Sequence, residues 1–280
     1  MNPVRKALWY IESHFAGEMS LDAIADAAGV SRFHLSRAFP AATGRPVTGY
    51  LRGRRLTEAA RALAGGAPDI LAIALEAGYG SHEAFTRAFR DQFGTTPELV
   101  RARGLDNLDL VRPILMDDIL IDEKRLPPLA PPRFVQHEPM LIAGPGERYS
   151  CEGSAGIPAQ WQRFVPHLGS IGGQIGNVAY GVICNADDDG HFEYVCGVEV
   201  GDFARVPREW SRVRIAPQKY AVFTHGEHIS TLRNTMAAIW GQWLPQSGHE
   251  PADAPTLERY DERFDGATGL GGVEIWIPIR

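Results

Sequence analysis

Two arginines, Arg37 and Arg87, stand at equivalent positions of a segment that occurs twice in the first half of the chain. The copies are IADAAGVSRFHLSRAF over residues 24–39 and IALEAGYGSHEAFTRAF over residues 73–89. An arginine guanidinium donates parallel hydrogen bonds that match O6 and N7 of guanine in the major groove of DNA. Because an ordinary solvated charge need not recur at the same place in a repeat, we interpret the pair as nucleic-acid contacts. Arg37 is the best single candidate for base readout.

Each copy of the segment predicts two helices joined by a short turn. A helix with apolar periodicity ends at a glycine (Gly29, Gly78), and a serine (Ser31, Ser81) then caps a second helix. This pattern is typical of a helix-turn-helix unit. Between the copies, YLRGRRLTEAARALAGG predicts one connecting helix, so two recognition helices on one chain could enter successive major grooves about 34 Å apart.

The second helix of each unit has a packing face and a solvent face. The candidate DNA contacts on the solvent face are Arg32, Phe33, Ser36 and Arg37 in the first unit and His82, Glu83, Thr86 and Arg87 in the second. Phe33 either contacts a thymine methyl or a sugar, or folds back onto the core. Glu83 carries a charge that phosphates repel, so the second unit either binds more weakly or contacts N4 of cytosine.

Residues 4–104 resemble the DNA-binding domain of the AraC/XylS family, because the spacing, the glycines and the FxRxF-like helix endings recur in both units. The resemblance implies a seven-helix domain that binds double-stranded DNA sequence-specifically as a transcription regulator. It also implies RNA polymerase as a partner. Activation is the expected sign of regulation, and repression stays open as the alternative. In related members it implies that a monomer places both recognition helices in adjacent grooves.

Charge and composition divide the chain. The net charge is -6, but residues 1–105 hold 13 Lys/Arg against 10 Asp/Glu, and the remainder holds 15 against 24. We therefore predict a DNA-binding domain over 1–105, a proline-containing linker over 106–132 and an acidic domain over 133–280. The sequence has no apolar run of about 18 residues and no signal peptide, and its three cysteines cannot all pair. We expect a cytoplasmic protein that makes no membrane contact and needs no cofactor.

Beyond residue 132 the pattern changes to strands and helices. Two strand-helix-strand-strand modules follow one another, with hairpins at NVAYGVICNA/HFEYVCGVEV and at APTLERYDERF/GGVEIWIPIR. The fold class is therefore α+β with two domains: an all-α tandem helix-turn-helix domain and a domain of two pseudo-symmetric β-α-β-β modules. Helices should cover one face of the sheet, which leaves the opposite face or the groove between the modules for a ligand.

A carboxylate interrupts the last strand. Glu274 lies in GGVEIWIPI, which otherwise has the pattern of a buried strand, and a buried carboxylate needs a partner that a cationic ligand could provide. Glu258, in LERYD, lies either beside it or on the solvent side. Aromatic residues of the strands and helices either line an apolar cavity or form plain core; those assigned to the effector site are Trp161, Tyr149, Tyr180, Phe192 and Trp276.

The segments LERYD, EIWIPI, YSCEG and WLPQSG resemble the GyrI-like effector-binding domains over about residues 133–280. In that superfamily a glutamate on the last strand projects into an aromatic pocket for amphipathic, often cationic molecules, and its position maps to Glu274. The fusion to an AraC-type domain resembles regulators of the Rob-like type, which matches the whole chain.

Two other functions remain as alternatives. Some stand-alone GyrI-like proteins resemble hydrolases that use a pocket glutamate as base or nucleophile. A ligand-free protein-interaction module is the second alternative, for the case in which side chains fill the pocket. No Ser/His/Asp or HExxH arrangement and no clustered metal ligands occur in the sequence, so we predict no catalytic residue, no metal site and no enzyme.

Overall fold

The computed structural model describes residues 2–67, 69–114, 126–150 and 154–280. Cys151 and the centre of the predicted linker lie outside these ranges. Cys184 and Cys196 are buried and form no disulfide, so they pack as small apolar residues. None of the helices in the described ranges is both long and apolar enough to cross a membrane.

Seven helices of the described residues build the N-terminal domain. They are α1 (Pro3–His14), α2 (Leu21–Ala28), α3 (Arg32–Thr43), α4 (Val47–Ala64), α5 (Ile70–Glu76), α6 (His82–Phe93) and α7 (Pro97–Arg103). Helices α2 and α3 form the first helix-turn-helix unit and α5 and α6 the second. Helix α4 connects the two units, as the sequence predicts.

Local hydrogen bonds explain where these helices begin and end. The hydroxyls of Ser31 and Ser81 each accept, at 3.2 Å, from the backbone N–H three residues further on. Gly29 and Gly78 adopt left-handed backbone angles, with φ of 72° and 85°. Because a side chain is strained in that conformation, glycine allows the chain to turn sharply between the two helices of each unit.

A buried arginine fixes α4 against α1. The side chain of Arg54 is 4% exposed, and its Nε lies 2.9 Å from Oε1 of Glu12. It also donates to Glu58 at 3.1 Å and to the carbonyl of Val111 at 3.2 Å. A buried guanidinium is stable only when its donors are satisfied, so this network fixes α4 against α1 and against the chain at Val111.

Nine strands of the described residues form one antiparallel sheet. They are β1 (Arg133–His137), β2 (Met140–Gly144), β3 (Gly146–Ser150), β4 (Gln174–Cys184), β5 (His191–Val200), β6 (Ser211–Ile215), β7 (Gln218–His225), β8 (Thr256–Tyr260) and β9 (Val273–Ile279). Their order is β1-β7-β9-β8-β4-β5-β2-β6, with β3 paired to β5. The modules exchange their opening strands, since β1 pairs with β7 and β6 with β2. The predicted α+β, two-domain fold class is confirmed.

Helices pack on one face of this sheet. They are α8 (Ile157–Phe164), α9 (Leu232–Ala238), a π-helical turn (Ile239–Trp243) and α10 (Leu244–Ser247). Helix α8 packs in a cluster with Tyr194 and Cys196, and α9 packs in another with Phe223 and Ile275. Because side chains alternate along a strand, the residues between these face away from the helices and form a separate apolar cluster.

The first helix-turn-helix unit shares a hydrophobic core with the C-terminal domain. One cluster of buried residues joins Leu8, Leu35 and Phe39 of the helical domain to Trp240 and Ile275 of the sheet domain. The second unit has a core cluster of its own, built from residues of the helical domain. The two units therefore differ in their surroundings although they share a sequence pattern.

Candidate functional site

The first recognition helix, α3, turns its predicted DNA-contacting face toward the C-terminal domain. Arg32 forms an ion pair with that domain, and the ring of Phe33 lies edge-on to Trp240 with centroids 6.5 Å apart. Ser36 and Arg37 line a cavity shared by both domains, and the Arg37 guanidinium stacks 4.8 Å from the centroid of the Phe33 ring. Phe33 therefore packs inward, the second of its two predicted alternatives, but against the other domain.

The second recognition helix, α6, leaves its corresponding face open to solvent at Glu83 and Arg87. His82 pairs at 3.3 Å with a glutamate of α7. Hydrogen bonds from its own backbone N–H and from the Ser81 side chain lower the pKa of Glu83. Glu83 thus stabilises the positive N-terminal end of α6. The Thr86 hydroxyl is buried and has no hydrogen-bond partner among the described residues.

An acidic turn between β4 and β5, residues 187–189, contacts side chains of α3 and α4. Asp188 accepts from Nε of Arg32 at 3.2 Å, and its backbone carbonyl accepts from the Thr48 hydroxyl at 2.9 Å. Oδ1 of Asp189 lies 3.2 Å from Nη2 of Arg52. The sequence predicts this turn only as a hairpin connection, whereas the structure makes it a contact between the domains.

The π-helical turn brings the C-terminal domain against α3. Nε2 of His34 lies 2.9 Å from the carbonyl oxygen of Trp240 in this turn, and because a carbonyl only accepts, Nε2 is the donor. Burial lowers the pKa of His34 and so favours the neutral imidazole. Arg233 on α9 donates to the carbonyl of Pro40 at 3.2 Å. π-helical turns are rare and often occur at functional sites, and here the turn forms part of the domain contact.

A cavity of about 260 Å³ lies where α3, the sheet and the helices of the C-terminal domain meet. From α3 it is lined by Ser36, Arg37, Pro40 and Ala41. From the helical layer of the C-terminal domain it is lined by Ile157, Leu232, Arg233, Met236 and Trp240. From the sheet and the acidic turn it is lined by Ile183, Ala186, Asp187, Gly190, His191, Phe192, Tyr194, Thr256 and Glu258. The cavity is therefore on the helix-covered face of the sheet.

Glu258 is the buried carboxylate of this cavity. It is 7% exposed, and its Oε2 accepts from the hydroxyls of Tyr194 at 2.5 Å and Tyr260 at 2.8 Å. The Tyr194 oxygen accepts in turn from Nε1 of Trp161 at 3.0 Å. Burial raises the pKa of Glu258. Gly181 makes room for the group, since a Cβ there would lie 2.2 Å from the Tyr194 hydroxyl and 2.7 Å from Oε2 of Glu258.

Glu274, the effector contact favoured by the sequence, lies on the opposite face. It pairs directly with Arg259, the residue after Glu258, so the two glutamates project to different sides of the sheet. Its carboxylate accepts from Arg133 at 2.8 Å and from Arg263 at 3.0 Å. The sequence predicts that a cationic ligand could pair with the Glu274 carboxylate, but in the structure Arg133 and Arg263 of the chain pair with it. Of the two glutamates that the sequence offered as effector contacts, Glu258 is therefore the one that lines the cavity, whereas Glu274 is paired with arginines on the other face.

The aromatic residues assigned to the effector site divide between the two faces. Phe192 lines the cavity, and Trp161 is joined to it through its hydrogen bond to a lining tyrosine. Tyr149 packs beside Phe192, with ring centroids 6.2 Å apart. Tyr180 and Trp276 belong to the apolar cluster on the other face, where the alternative of plain core describes them.

Glu274→Gln is expected to lower the free energy of unfolding by about 1–3 kcal/mol, because an amide replaces the carboxylate that Arg133 and Arg263 bind. Burial alone would raise the pKa of Glu274, but hydrogen bonds from Arg133 and Arg263 outweigh it and lower that pKa. The stabilisation is thus present at neutral pH and is lost as the pH falls below about 4. Urea unfolding beside Glu250→Gln, an exposed glutamate, measures the difference. Equal stability of both variants at neutral pH would contradict this account.

Three features of the site were missed by sequence reasoning: the hydroxyl pair of Tyr194 and Tyr260 on Glu258, the space at Gly181, and the contact of Asp188 and Asp189 with α3 and α4. A glycine inside a strand often marks a close approach, so Gly181 in AYGVIC was a usable signal. Three consecutive aspartates in a chain with a basic domain were another.

Two protein-family models match the chain. The model described as a GyrI-like small molecule binding domain matches residues 130–280, just over half of the chain. A helix-turn-helix domain model matches residues 24–103. The two matches follow one another in the order of the two domains.

Several known proteins are similar to the chain. Transcriptional regulator Rob of Salmonella typhimurium is 28% identical over 99% of this chain and 98% of its own length. Transcriptional regulator BrlR of Pseudomonas aeruginosa is 37% identical over 52% of this chain and 54% of its own. A solved structure of SAV2435 bound to tetraphenylphosphonium matches 53% of this chain and 93% of that chain at 21% identity, with a TM-score of 0.45. The similarity to the first of these regulators extends through both domains.

Proposed function

Because the chain belongs to the family defined by the GyrI-like small molecule binding domain, joined here to an AraC-type helix-turn-helix domain, we propose that α3 and α6 contact an operator and that the cavity at Glu258 binds the effector. The chain is a DNA-binding transcription regulator with an effector-binding domain, as its relatives are. The proposal assigns each task to particular residues.

For DNA, we propose that Arg37 contacts a base while Arg32 and Ser36 contact the backbone beside it. These side chains share one face of α3, and a recognition helix inserts such a face into the major groove. Arg87 is the equivalent residue of α6 and is exposed. Glu83 lies near the same end of that helix, so the second unit contributes less to specificity than the first.

For the effector, the cavity is mostly apolar, and of its charged lining residues Arg37, Arg233, Asp187 and Glu258 only Glu258 is buried. A buried carboxylate in such a cavity fits a hydrophobic cation. Among the described residues, both hydrogen bonds to Glu258 end on Oε2, which leaves Oε1 for a cationic group. A buried ionised carboxylate is costly without a counter-charge, and the rings of Tyr194 and Trp240 add faces that attract cations. The buried Glu258 in an apolar cavity is the observation that carries this part of the proposal.

Calorimetric titration of the full chain with tetraphenylphosphonium, a rigid hydrophobic cation, tests the effector class. Triphenylphosphine oxide, an uncharged molecule of related shape, is the control. We expect the cation to bind at least about tenfold more tightly, because a charge pair in a desolvated site contributes more than about 1.4 kcal/mol. Equal affinities would remove charge recognition from the proposal. Absence of binding by either compound would favour the ligand-free interaction module.

The affinity for the cation is expected to rise with pH. Burial raises the pKa of Glu258, so the carboxyl group of the empty cavity stays protonated to a higher pH than an exposed glutamate, and only its ionised form attracts a cation. Each pH unit below the raised pKa should weaken cation binding about tenfold. The control is Glu258→Gln, because it keeps every other group that lines the cavity, including His191. In this variant the dependence of the cation affinity on pH should disappear. Titrations from about pH 4, near the ordinary pKa of a glutamate, to about pH 8 that show no slope would contradict Glu258 as the counter-ion.

We propose that the cavity binds its ligand and does not hydrolyse it. The relatives are named as transcription regulators, which supports binding over the hydrolase alternative. Incubation with p-nitrophenyl acetate should give the same rate of nitrophenol release for the wild type and for Glu258→Gln. A rate that disappears in the variant would instead support hydrolysis.

Contact with RNA polymerase and action in the cytoplasm, where the operator would be, remain part of the proposal. A regulator that activates must position polymerase at a promoter. In vitro transcription from a promoter that carries a DNA duplex selected for binding to this chain should increase when the chain is added. Unchanged or reduced transcription would contradict activation.

A further inference from the structure

We infer, as an extension of the proposed function, that the effector site is a composite of both domains in which the first recognition helix is the lid. The C-terminal domain then blocks base contact by α3 until an effector of drug size displaces the helix. The effector and the domain contact thus compete, and the effector increases the affinity for DNA.

The repeat itself provides the comparison that points to blocking. Equivalent positions on the two recognition helices are Phe33 and Glu83, and Arg37 and Arg87. In α6 both residues are exposed, whereas in α3 both are half-buried. What covers them in α3 is the C-terminal domain, because Phe33 contacts Trp240 and Arg37 lines the shared cavity.

A recognition helix cannot keep this cover and bind DNA at the same time. The major groove of B-DNA is about 12 Å wide and admits one helix with its side chains. A helix whose base-contacting face already packs on another domain has no room to enter it. Binding through the first unit therefore requires α3 to leave the C-terminal domain.

The acidic turn strengthens the cover by occupying the basic groups that phosphates need. Arg32 and Arg52 are paired with Asp188 and Asp189, and the Thr48 hydroxyl donates to the Asp188 carbonyl. Arginine and threonine side chains of helix-turn-helix domains commonly bind phosphate oxygens. The carboxylates of the turn thus take the place of phosphates on α3 and on the first half of α4.

The size of the cavity decides the direction of the effect. Its volume of about 260 Å³ is below the range of roughly 300–1,000 Å³ typical of pockets for drug-sized ligands, so such a ligand is enclosed fully only when one wall moves. In the described ranges, the sheet and the helices of the C-terminal domain are held together by three clusters of buried residues, and α3 joins only one of them. Helix α3 belongs to the other domain, and part of its attachment is the exposed Arg32–Asp188 ion pair. A drug-sized ligand therefore binds the undocked state better and shifts the chain toward it.

The variant Asp188→Asn/Asp189→Asn tests the domain contact directly. Asp187 makes the backbone hydrogen bonds that hold the turn, so the hairpin is preserved. The control Glu209→Gln/Asp253→Asn removes the same charge at exposed positions. On a DNA duplex enriched by selection with the full chain, we expect the first variant to bind about 3- to 10-fold more tightly than the control, since each exposed pair contributes up to about fivefold. Equal affinities of variant and control would overturn the inference.

Hydrogen exchange gives a second readout that needs no DNA. Amides of α3 should exchange faster in Asp188→Asn/Asp189→Asn than in the control variant, because the domain contact shields them. Amides of α6 serve as the internal reference and should not change. Equal acceleration in both helices would show a general loss of stability and would overturn the inference.

Tetraphenylphosphonium at saturating concentration tests the effector part. It should tighten the binding of the wild type to the selected duplex about 3- to 10-fold and accelerate hydrogen exchange of the α3 amides. Both effects should be smaller in Asp188→Asn/Asp189→Asn, because the domain contact is already weakened in that variant. If calorimetry shows that the cation binds while the affinity for DNA stays the same or falls, the inference that α3 is the lid is wrong. The proposed effector site at Glu258 is then unaffected. If the cation does not bind, the proposed effector class fails, and the comparison of variants alone decides whether α3 is blocked.

Discussion

Glu258→Gln is expected to lower the affinity of the chain for tetraphenylphosphonium by about 2–5 kcal/mol, roughly 30- to 5,000-fold, because it removes the counter-charge from a desolvated site. The amide oxygen can still accept from Tyr194 and Tyr260, so the fold should persist. Affinity for triphenylphosphine oxide should change little. Calorimetric titration of the variant with both compounds measures the two effects.

Glu274→Gln is the matched control for this prediction. It makes the same chemical change in a buried glutamate on the other face of the same sheet, 5% exposed against 7% for Glu258. The control should keep the cation affinity of the wild type and lose stability instead. If Glu274→Gln loses cation affinity and Glu258→Gln keeps it, the sequence-based assignment was right and the present site is wrong.

Arg37→Ala is expected to weaken specific DNA binding by about 1–3 kcal/mol, roughly 5- to 150-fold, and to relax the preference at one base pair. The loss should be small on unrelated duplexes. Because Arg37 also lines the cavity, the measurement is best made in the Asp188→Asn/Asp189→Asn background, so that a change in domain contact does not enter. Fluorescence anisotropy with operator and single-base variants of it gives the free energies.

Arg87→Ala is the control at the equivalent position of the second unit. We expect a smaller loss of specificity, because Glu83 lies near that end of α6 and weakens its approach to phosphates. A uniform loss on all sequences for Arg37→Ala would show that Arg37 contacts phosphate and not a base. A larger specificity change for Arg87→Ala would place the main base contacts in the second unit.

The helix-turn-helix half was predictable because local residues determine it. Ser31 and Ser81 cap helices through bonds to N–H groups three residues away, and Gly29 and Gly78 allow left-handed turns, so short sequence windows contain the necessary information. The alternation of strands and helices beyond residue 132 predicted two modules for the same reason.

The face of the sheet on which each of the two glutamates lies could not be predicted from any short stretch of sequence. The register between β8 and β9 decides which face each occupies, and a shift of one residue would exchange them. The arginine partners of Glu274 include Arg133, which is 141 residues away along the chain. A buried carboxylate was a sound signal of a needed partner, but the sequence could not say whether that partner was protein or ligand.

The packing of the domains was likewise outside the reach of local patterns. Phe33 and Arg37 have the residue types of a DNA-contacting face, and their repeat equivalents are exposed, so nothing nearby indicated that they would be covered. Only charge offered a sign, since a domain with an excess of basic residues precedes an acidic one that presents Asp188 and Asp189 in a turn.

Selection of duplexes from a random library by the purified full-length chain tests the central claim most directly. The account predicts one enriched motif with two sequence blocks about 10 base pairs apart, and loss of the more strongly specified block when Arg37→Ala is used. Enrichment of no motif above the starting library, with equal affinity for all duplexes, would contradict sequence-specific regulation through the first helix-turn-helix unit.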